Sequence, residues 1–311
     1  MDFILNIFAI PVSYILKGLS FIFGHNFAVL MLMLTIIVNL AMLPLTVKSQ
    51  RSAAKQQMLR PKLDLLKKKY GEDMTPNEKR DYQMEMQELY QKENVSMSGG
   101  CLPLLIRMPF LLAVYRVIQS PLTYIFNQSK EQISALLTAV NKVVENKIPE
   151  SGYNQIQLFN VLRDKLDIAG AKLAEQFDIW NFGFFGLDLT ATPKFSFNFA
   201  EVTGDQLKLW IIPFLAFGAQ MLTSIISLRI QKKANPDQPS MTGMMLTMPL
   251  ISLFFAFSLP AAVGLYWAFS SLVGGLIQAG IQIVYSPSKL IADEQAKLVV
   301  KRYNDEKSRV K

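Results

Sequence analysis

The chain has 311 residues, 51% of them hydrophobic, and a formal net charge of +8. Charged residues are concentrated in residues 48–95, 128–205 and 286–311, and the apolar blocks between these stretches carry almost none. This distribution is typical of a polytopic membrane protein and excludes an ordinary soluble domain. A single cysteine excludes an internal disulfide, and one cysteine with one histidine argues against a structural zinc site.

The first 25 residues have neither a basic region nor a small-residue cleavage site, so we expect no cleaved signal peptide. Apolar residues recur there at helical spacing, but Pro11 and Lys17 interrupt them. This pattern is too short and too interrupted for a convincing span. We therefore predict an interfacial amphipathic helix over residues 1–25.

The first span (TM1) is predicted at residues 26–47, just before the first concentration of charge. Three polar residues, Thr35, Asn39 and Thr46, fall on one face of this predicted helix. Polar groups inside a span either hydrogen-bond to a neighbouring helix or line a polar groove. The sequence leaves both alternatives open.

Residues 48–99 are predicted to form a cytosolic helical hairpin. The first arm ends at Gly71, with Lys67-Lys68-Lys69 in its last turn, where cations suit the helix dipole. The second arm begins with Thr75-Pro76-Asn77-Glu78, the pattern of a capping box. Methionines in the hairpin suit contacts with varied apolar clients, although they equally suit packing between the arms. Those predicted to contact clients are Met58, Met84 and Met86.

The second span (TM2) is predicted at residues 100–126, with a kink at Met108-Pro109. Arg107 and Arg116 lie inside this apolar run, and an arginine at bilayer depth costs ~2.5–3.5 kcal/mol on insertion scales. The apolar runs contain no Asp or Glu that could supply a counter-charge. We therefore predict that Arg107 borders a water-filled recess; the alternative is that it reaches the cytosolic phosphates. Arg116 lies about 180° further round an ideal helix and is given a lesser role.

Apolar runs and polar turns define the remaining elements. We predict an extracytoplasmic segment at 127–206, a third span at 207–228, a cytosolic turn at 229–240, a fourth span at 241–258, a fifth span at 261–285 and a basic cytosolic tail at 286–311. Because the hairpin, the turn and the tail are basic, the positive-inside rule predicts an external N-terminus and a cytosolic C-terminus. Further candidate site residues are Gln220, Tyr266 and Trp267 in the spans, and Lys301 and Arg302 in the tail.

Several of these residues have plainer alternatives. Gln220 suits hydrogen bonding between helices, and Tyr266 and Trp267 suit an aromatic belt at the outer face of the membrane. The basic tail suits contact with the ribosome but equally serves to fix the topology.

Short motifs occur in a fixed order along the chain. They are Pro44-Leu45-Thr46, Gly100-Cys101-Leu102-Pro103, Met108-Pro109, Leu187-Asp188-Leu189 and Leu259-Pro260-Ala261-Ala262-Val263-Gly264-Leu265-Tyr266-Trp267. Together they resemble the YidC/Oxa family of membrane-protein insertases, above all its five-span bacterial branch. The resemblance implies an all-α polytopic membrane protein, working as a monomer, with five transmembrane helices around a hydrophilic groove. In the family this groove is open to the cytosol and to lipid and closed on the outside.

Two positions depart from the family pattern. The family carries a functionally important groove arginine on the first of the five spans, where this chain has Asn39. It usually carries a glutamine where this chain has Arg107. We therefore hypothesise that the groove charge has moved from the first span to the second, so that the two residues face one another at similar depth.

The resemblance implies an insertase or chaperone of the bacterial cell membrane that moves nascent hydrophobic segments from the cytosol into the bilayer. Nascent membrane proteins and lipid are its implied partners, and the ribosome and the Sec translocon are further candidates. No Walker A motif, metal cluster or catalytic triad is evident, so we expect neither enzymatic activity nor a cofactor. The alternatives are a specialised assembly factor or scaffold, and a secondary transporter, which the lack of an intramembrane carboxylate disfavours.

Overall fold

The computed structural model describes residues 2–71, 73–93, 95, 102–149, 155–196, 202–234 and 242–284, with scattered positions between 289 and 307. Within these ranges the side chains of residues 2–5, 53, 54, 57, 60, 102–107, 230–234, 242, 244, 245 and 282–284 are not described. Lys301 and Arg302 lie outside the described residues, so their predicted contacts stay predictions.

Helices dominate the described part of the chain, as predicted. They are α1 (Asp2–Phe23), α2 (Phe27–Ala41), α3 (Leu43–Tyr70), α4 (Pro76–Lys92), α5 (Leu102–Gln119), α6 (Pro121–Tyr124), α7 (Lys130–Asn141), α8 (Gln155–Asp164), α9 (Leu166–Ala169), α10 (Ala171–Ile179), α11 (Gly204–Leu209), α12 (Ile211–Ala234), α13 (Thr242–Ala256) and α14 (Ala261–Val284). Two short strands, β1 (Gly183–Phe184) and β2 (Leu187–Asp188), pair antiparallel, with Gly183 opposite Asp188.

Several described helices are long and apolar enough to cross a membrane. By length and composition these are Asn6–Phe23, Gly204–Arg229 and Ala261–Ile281, and α2 with Leu43–Ser52 makes a fourth if the two form one bent span. Shorter apolar helices, Met108–Gln119 and Leu246–Ala256, lie in the second and fourth predicted spans. The predicted class of all-α polytopic membrane protein is confirmed, while the count of five spans stays a prediction.

Proline positions explain where the helices of the first and last spans break. The predicted first span is not one helix, because α2 ends at Ala41 and α3 begins at Leu43. Pro44 lies in the first turn of α3, where its missing N–H costs nothing. The predicted break in the last apolar block is confirmed, since α14 begins directly after Pro260.

The chain divides into two compact units. The first comprises Met1–Leu40, Arg107–Arg229 and Pro239–Gly275, and the second Ala41–Ile106, Ile230–Gln238 and Leu276–Lys311. The first unit holds most of the buried apolar side chains among the described residues.

An aromatic cluster forms part of the core of the first unit. Phe159 of α8 is fully buried, and its ring centroid lies 5.5, 5.0 and 5.2 Å from those of Phe126, Phe177 and Phe182. Trp180 adds a further ring, 6.2 Å from Phe126. Such pairs contribute ~0.5–1.5 kcal/mol each beyond the area that they bury. The polar segment at 127–206 therefore has an aromatic core, to which Phe126 at the end of the predicted second span also contributes.

Helix α1 continues without a break through Pro11. Its buried side chains recur at helical spacing and include Ala9, Val12, Leu16 and Leu19. On the same helix Ser13 Oγ donates a hydrogen bond to the carbonyl of Tyr124, 2.5 Å away. The helix thus packs against the first unit along one face. It also meets the length and composition of a span, so its predicted interfacial position stays a prediction.

The second unit contains the predicted helical hairpin, formed by α3 and α4. Gly71 ends α3 with a φ of 77°, as its place after three lysines predicts. The capping box is confirmed, because Thr75 Oγ1 accepts from the N–H of Glu78 and the Glu78 carboxylate accepts from the N–H of Thr75. Across the hairpin Glu85 accepts hydrogen bonds from Lys69 and Tyr70 at 2.6 and 2.9 Å.

Candidate functional site

Two of the polar residues predicted for the groove lie on α2. Thr35 is fully buried, and its Oγ1 donates a hydrogen bond to the carbonyl of Met31, 2.7 Å away. Asn39 is 5% exposed, and its Nδ2 donates to the carbonyl of Thr35 at 2.9 Å. Both side chains thus place at least one hydrogen bond on their own helix, a common arrangement for polar residues in spans. They share a face of α2, and a groove-lining role stays a prediction.

Thr46 and Arg107 are also predicted for the groove, but they lie on helices other than α2. Thr46 belongs to α3, where it is half-buried and donates through Oγ1 to the carbonyl of Met42 at 2.9 Å. Because Thr35 belongs to the first unit and Thr46 to the second, the shared face predicted for these residues stays a prediction. Arg107 lies on α5, but its side chain is outside the described residues. Its predicted pairing with Asn39 stays a prediction.

Polar and aromatic candidates on α12 and α14 lie in the first unit. Gln220 Oε1 on α12 accepts a hydrogen bond from Ser252 Oγ on α13. This bond matches the helix-packing alternative for Gln220, and such bonds contribute ~0.6 kcal/mol on average in membranes. Tyr266 is only 5% exposed, whereas Trp267 is half-buried. The buried position of Tyr266 does not suit a lipid-facing aromatic belt.

Two glycines bring α14 close to α12. A Cβ atom at Gly264 would lie 2.9 Å from Ile212 Cγ2, and one at Gly275 would lie 2.3 Å from Thr223 Cγ2. At either distance an added Cβ would force the neighbouring side chain or the helix to shift. Small residues at helix contacts of this kind let backbones approach closely in membranes. The glycine of the Leu259–Trp267 motif therefore has a packing role.

Residues 181–191 form a loop that we call the clasp. This loop hydrogen-bonds to the backbone at the beginning of α2. The N–H of Asn181 donates to the carbonyl of His25 at 3.0 Å, and the carbonyl of Asn181 accepts from the N–H of Phe27 at 2.8 Å. The first N–H groups of a helix have no partner within the helix, so they need one outside it. The clasp supplies one of these partners to α2.

The same clasp holds the beginning of α14. The N–H of Ala262 donates to the carbonyl of Leu189 at 2.9 Å, and the N–H of Ala261 donates to the carbonyl of Ala191 at 2.8 Å. One short loop thus ties together the N-terminal ends of two membrane helices that are far apart in the sequence.

Asp188 connects the clasp to α8. Its Oδ2 accepts a hydrogen bond from Arg163 Nη2 at 2.8 Å, and its Oδ1 accepts from the N–H and Oγ1 of Thr190 at 2.9 and 2.6 Å. Burial raises the pKa of Asp188, but the bonds from Thr190 and Arg163 outweigh burial and hold the pKa below its usual value. The carboxylate is therefore ionised at neutral pH.

The methionines predicted to contact clients lie on the hairpin. Met84 is 52% exposed, and Met58 and Met86 are half-buried. All three keep some accessible surface, as a client-binding side chain requires, although nothing bound to them is present. Their role stays a prediction.

Sequence reasoning gave little weight to two features. Asp188 was noted only as part of a motif, because its partners Arg163 and Thr190 form no local pattern. Arg116 was assigned a lesser role, yet it is half-buried and its Nε and Nη1 atoms are inaccessible to solvent. A guanidinium withdrawn from water needs compensation within the protein. The sequence feature that points to Arg116 is a charged residue inside an apolar run.

Comparison with known proteins identifies the family. The sequence model of the family described as "60Kd inner membrane protein" matches residues 18–288, which is most of the chain. The chain belongs to this family, YidC/Oxa. The family match includes both ends of the clasp and all the predicted groove residues, and it ends at residue 288, within the first residues of the predicted basic tail. Among the described residues, no group of three or more His, Cys, Asp or Glu side chains could hold a metal ion.

Individual relatives match to different extents. Membrane protein insertase YidC of Bradyrhizobium diazoefficiens is 29% identical over 268 residues, which are 85% of this chain and 35% of the relative. Membrane protein insertase YidC 2 of Bacillus anthracis is 24% identical over 269 residues, 86% of this chain and 76% of the relative. The chain thus spans about a third of the first relative and about three-quarters of the second.

A third relative matches more closely over a shorter stretch. Membrane protein insertase YidC of Pseudoalteromonas atlantica is 41% identical over 108 residues, 34% of this chain and 19% of the relative. With its apolar helices, this family membership makes the chain a multi-pass protein of the bacterial membrane.

Proposed function

We propose that this protein is an insertase that moves nascent hydrophobic segments from the cytosol into the lipid bilayer. The observation that carries the proposal is the match of residues 18–288 to a family whose relatives are named membrane protein insertases. Polar residues within its membrane helices support it, because Thr35, Asn39 and Gln220 all lie on helices of spanning character.

In the proposed mechanism a client first meets the hairpin. The exposed Met84 offers a flexible apolar contact, and the basic tail adds attraction to acidic groups. The polar residues that flank the client's apolar segment then enter a hydrophilic groove bordered by Asn39 and Arg107, where hydration lowers the cost of moving them across. The apolar segment passes into lipid, driven by ~25 cal/mol per Å² of apolar surface removed from water.

The topology and the partners belong to the same proposal. The N-terminus is external and the C-terminus cytosolic, since the hairpin and the tail are basic. The polar segment then lies outside, where the clasp closes the protein. The chain works as a monomer, the ribosome meets the basic tail, and the Sec translocon is a further partner.

Reconstituted insertion tests the proposal. Native protein in proteoliposomes is supplied with a single-span client that has an acidic external tail, and protease protection measures its insertion. Arg107→Gln is expected to lower insertion several-fold, because the groove loses the charge that attracts the acidic tail. Asn39→Arg combined with Arg107→Gln is expected to restore it, since either helix can then carry the charge.

Arg229→Gln is the matched control, because Arg229 is exposed at the far end of α12. Full activity in Arg107→Gln would show that Arg107 only anchors its helix at the phosphates. An exchange variant as weak as Arg107→Gln would overturn the exchange of charge between the spans. No insertion by native protein would overturn the insertase proposal in favour of an assembly factor.

A further inference from the structure

A cavity of about 680 Å³ lies beside the second half of α13. The lining residues come from two segments of the first unit, the loop after the clasp and α13 with its C-terminal turn. They are Thr192, Lys194, Phe195, Leu250, Leu253, Phe254, Phe257 and Ser258. The volume falls within the ~300–1,000 Å³ of pockets that hold small molecules.

One wall of this cavity is apolar and open. Leu250, Leu253, Phe254 and Phe257 follow the spacing of a single helix face, and Phe257 is the buried floor. Leu250 is 54% exposed and Phe254 is 72% exposed. The wall belongs to the apolar stretch Leu246–Ala256, so its chemistry suits contact with acyl chains.

The opposite rim is polar and carries one cation. Lys194 is exposed, with the hydroxyls of Thr192 and Ser258 on the same lining and no carboxylate among the lining residues. Trp210 Nε1 donates a hydrogen bond to the carbonyl of Lys194 at 3.1 Å, and Phe195 stacks on Trp210 with ring centroids 5.3 Å apart. These contacts fix the backbone of the loop that carries Lys194, beside the apolar wall.

Tryptophan is typical of the level of the lipid headgroups. Trp210 also packs edge-on against Phe257, with centroids 5.6 Å apart, so the floor of the cavity adjoins that level. The cavity with its apolar wall thus forms a trough. A positive charge at headgroup level above this trough matches the charge and shape of a phospholipid with an anionic headgroup.

We propose that this cavity binds one anionic phospholipid of the surrounding membrane. The phosphate lies on Lys194 with the hydroxyls of Thr192 and Ser258 beside it, and one acyl chain runs along α13 from Phe257 to Leu250. An apolar segment of another protein suits the rim less well, because it offers no group for the cation. The bound lipid fills the trough and fastens α13 to the loop after the clasp.

Native mass spectrometry tests the proposal on the full-length protein released from nanodiscs of phosphatidylglycerol mixed with phosphatidylcholine. Native protein is expected to retain one phosphatidylglycerol preferentially. Lys194→Gln is expected to weaken this preference about fivefold, which corresponds to about 1 kcal/mol for one lysine near a lipid surface. Lys172→Gln, at an exposed position of α10, is the matched control and is expected to retain the native preference.

A second variant tests the trough independently of charge. Leu253→Trp is expected to fill the cavity and to lower retention of both lipids, whereas Lys194→Gln changes only the choice between them. A photoreactive phenylalanine analogue at Phe254 is expected to crosslink to lipid in the nanodisc. Equal lipid retention in native protein, Lys194→Gln and Leu253→Trp would overturn the proposal. So would crosslinking of position 254 to a second protein chain with no lipid adduct.

Discussion

The polar segment at 127–206 and the helical hairpin of α3 and α4 are both charged stretches between apolar runs, but they are built differently. In the polar segment α8 alone buries Ile156, Leu158, Phe159 and Leu162. In the hairpin α4 buries none of its residues, and Leu59 is the only buried side chain among those described in α3. The polar segment buries a cluster of aromatic side chains, whereas the arms of the hairpin meet through the ion pair of Lys69 with Glu85 and the ring contact of Tyr70 with Tyr82.

The difference shows how each region can serve the membrane helices. Because the polar segment has a core, the clasp at its end can hold α2 and α14 at fixed positions. The hairpin buries too little to be rigid by itself, and its exposed Met84 and Leu65 leave apolar surface for another molecule. A region of low local stability is where binding surfaces that adapt are commonly found.

Truncating the aromatic core is expected to have the largest effect. Phe159→Ala removes a fully buried ring that contacts Phe126, Phe177 and Phe182. We expect a loss of ~3–5 kcal/mol of stability, because a cavity replaces the ring. Thermal unfolding in detergent, followed by tryptophan fluorescence, measures it, since Trp180 belongs to the cluster.

Phe185→Ala is the matched control, because Phe185 is 92% exposed. Its unfolding midpoint is expected to equal that of the native protein, with a change within ~0.5 kcal/mol. An equal loss of stability in Phe159→Ala and Phe185→Ala would contradict the assignment of a packed core to the polar segment.

Removing the charge of Asp188 is expected to have an intermediate effect. The side chains of Asp188 and Arg163 are 38% and 34% exposed, so water screens the pair, and Asp188→Asn is expected to cost about 1 kcal/mol at neutral pH. Folding lowers the pKa of Asp188 below its usual value of 3.8. The stability that the ionised carboxylate contributes is therefore fully present above that pH and is lost as the pH falls through the pKa of the folded state.

The unfolding midpoint measured from pH 7 down to pH 3 tests this linkage. Native protein is expected to lose stability on acidification more steeply than Asp188→Asn, which has no carboxylate to protonate. If the unfolding midpoints of the two proteins fell in parallel with pH, the charge of Asp188 would not contribute to stability. Asp205→Asn is the control, because Asp205 is 90% exposed and its ion pair is with Lys208, three residues along the chain.

A change in the hairpin is expected to have the smallest effect on the whole protein. Glu85→Gln removes the carboxylate that accepts bonds from Lys69 and Tyr70, but all three groups are exposed enough for water to replace them. The fluorescence midpoint is expected to stay native, while trypsin cleaves after Lys69 faster because the arms separate more often.

Glu88→Gln on the same arm is the matched control, since Glu88 pairs only along its own helix with Lys92. Trypsin is expected to cleave this variant at the native rate. A drop in the fluorescence midpoint in Glu85→Gln as large as in Phe159→Ala would remove the contrast between the two regions.

Local features were predictable from the sequence, and long-range ones were not. The stop at Gly71, the capping box at Thr75 and Glu78 and the break at Pro260 each depend on residues within a few positions, so pattern alone identified them. The clasp was not predicted, because the pairing of Asn181 with His25 and Phe27 depends on tertiary structure. The division of the predicted first span at 26–47 into α2 and α3 was not predicted either, because the apolar run continues through the break.

The clasp also constrains the order of synthesis. The N–H groups of Ala261 and Ala262 belong to α14, which leaves the ribosome long after α2, yet they bond to the same loop that pairs with Phe27 at the start of α2. Until α14 has been synthesised, the bonds between the clasp and α14 cannot form. Contacts between segments so distant in sequence are slow to form. Every newly made copy therefore passes through a stage in which the clasp does not yet hold α14.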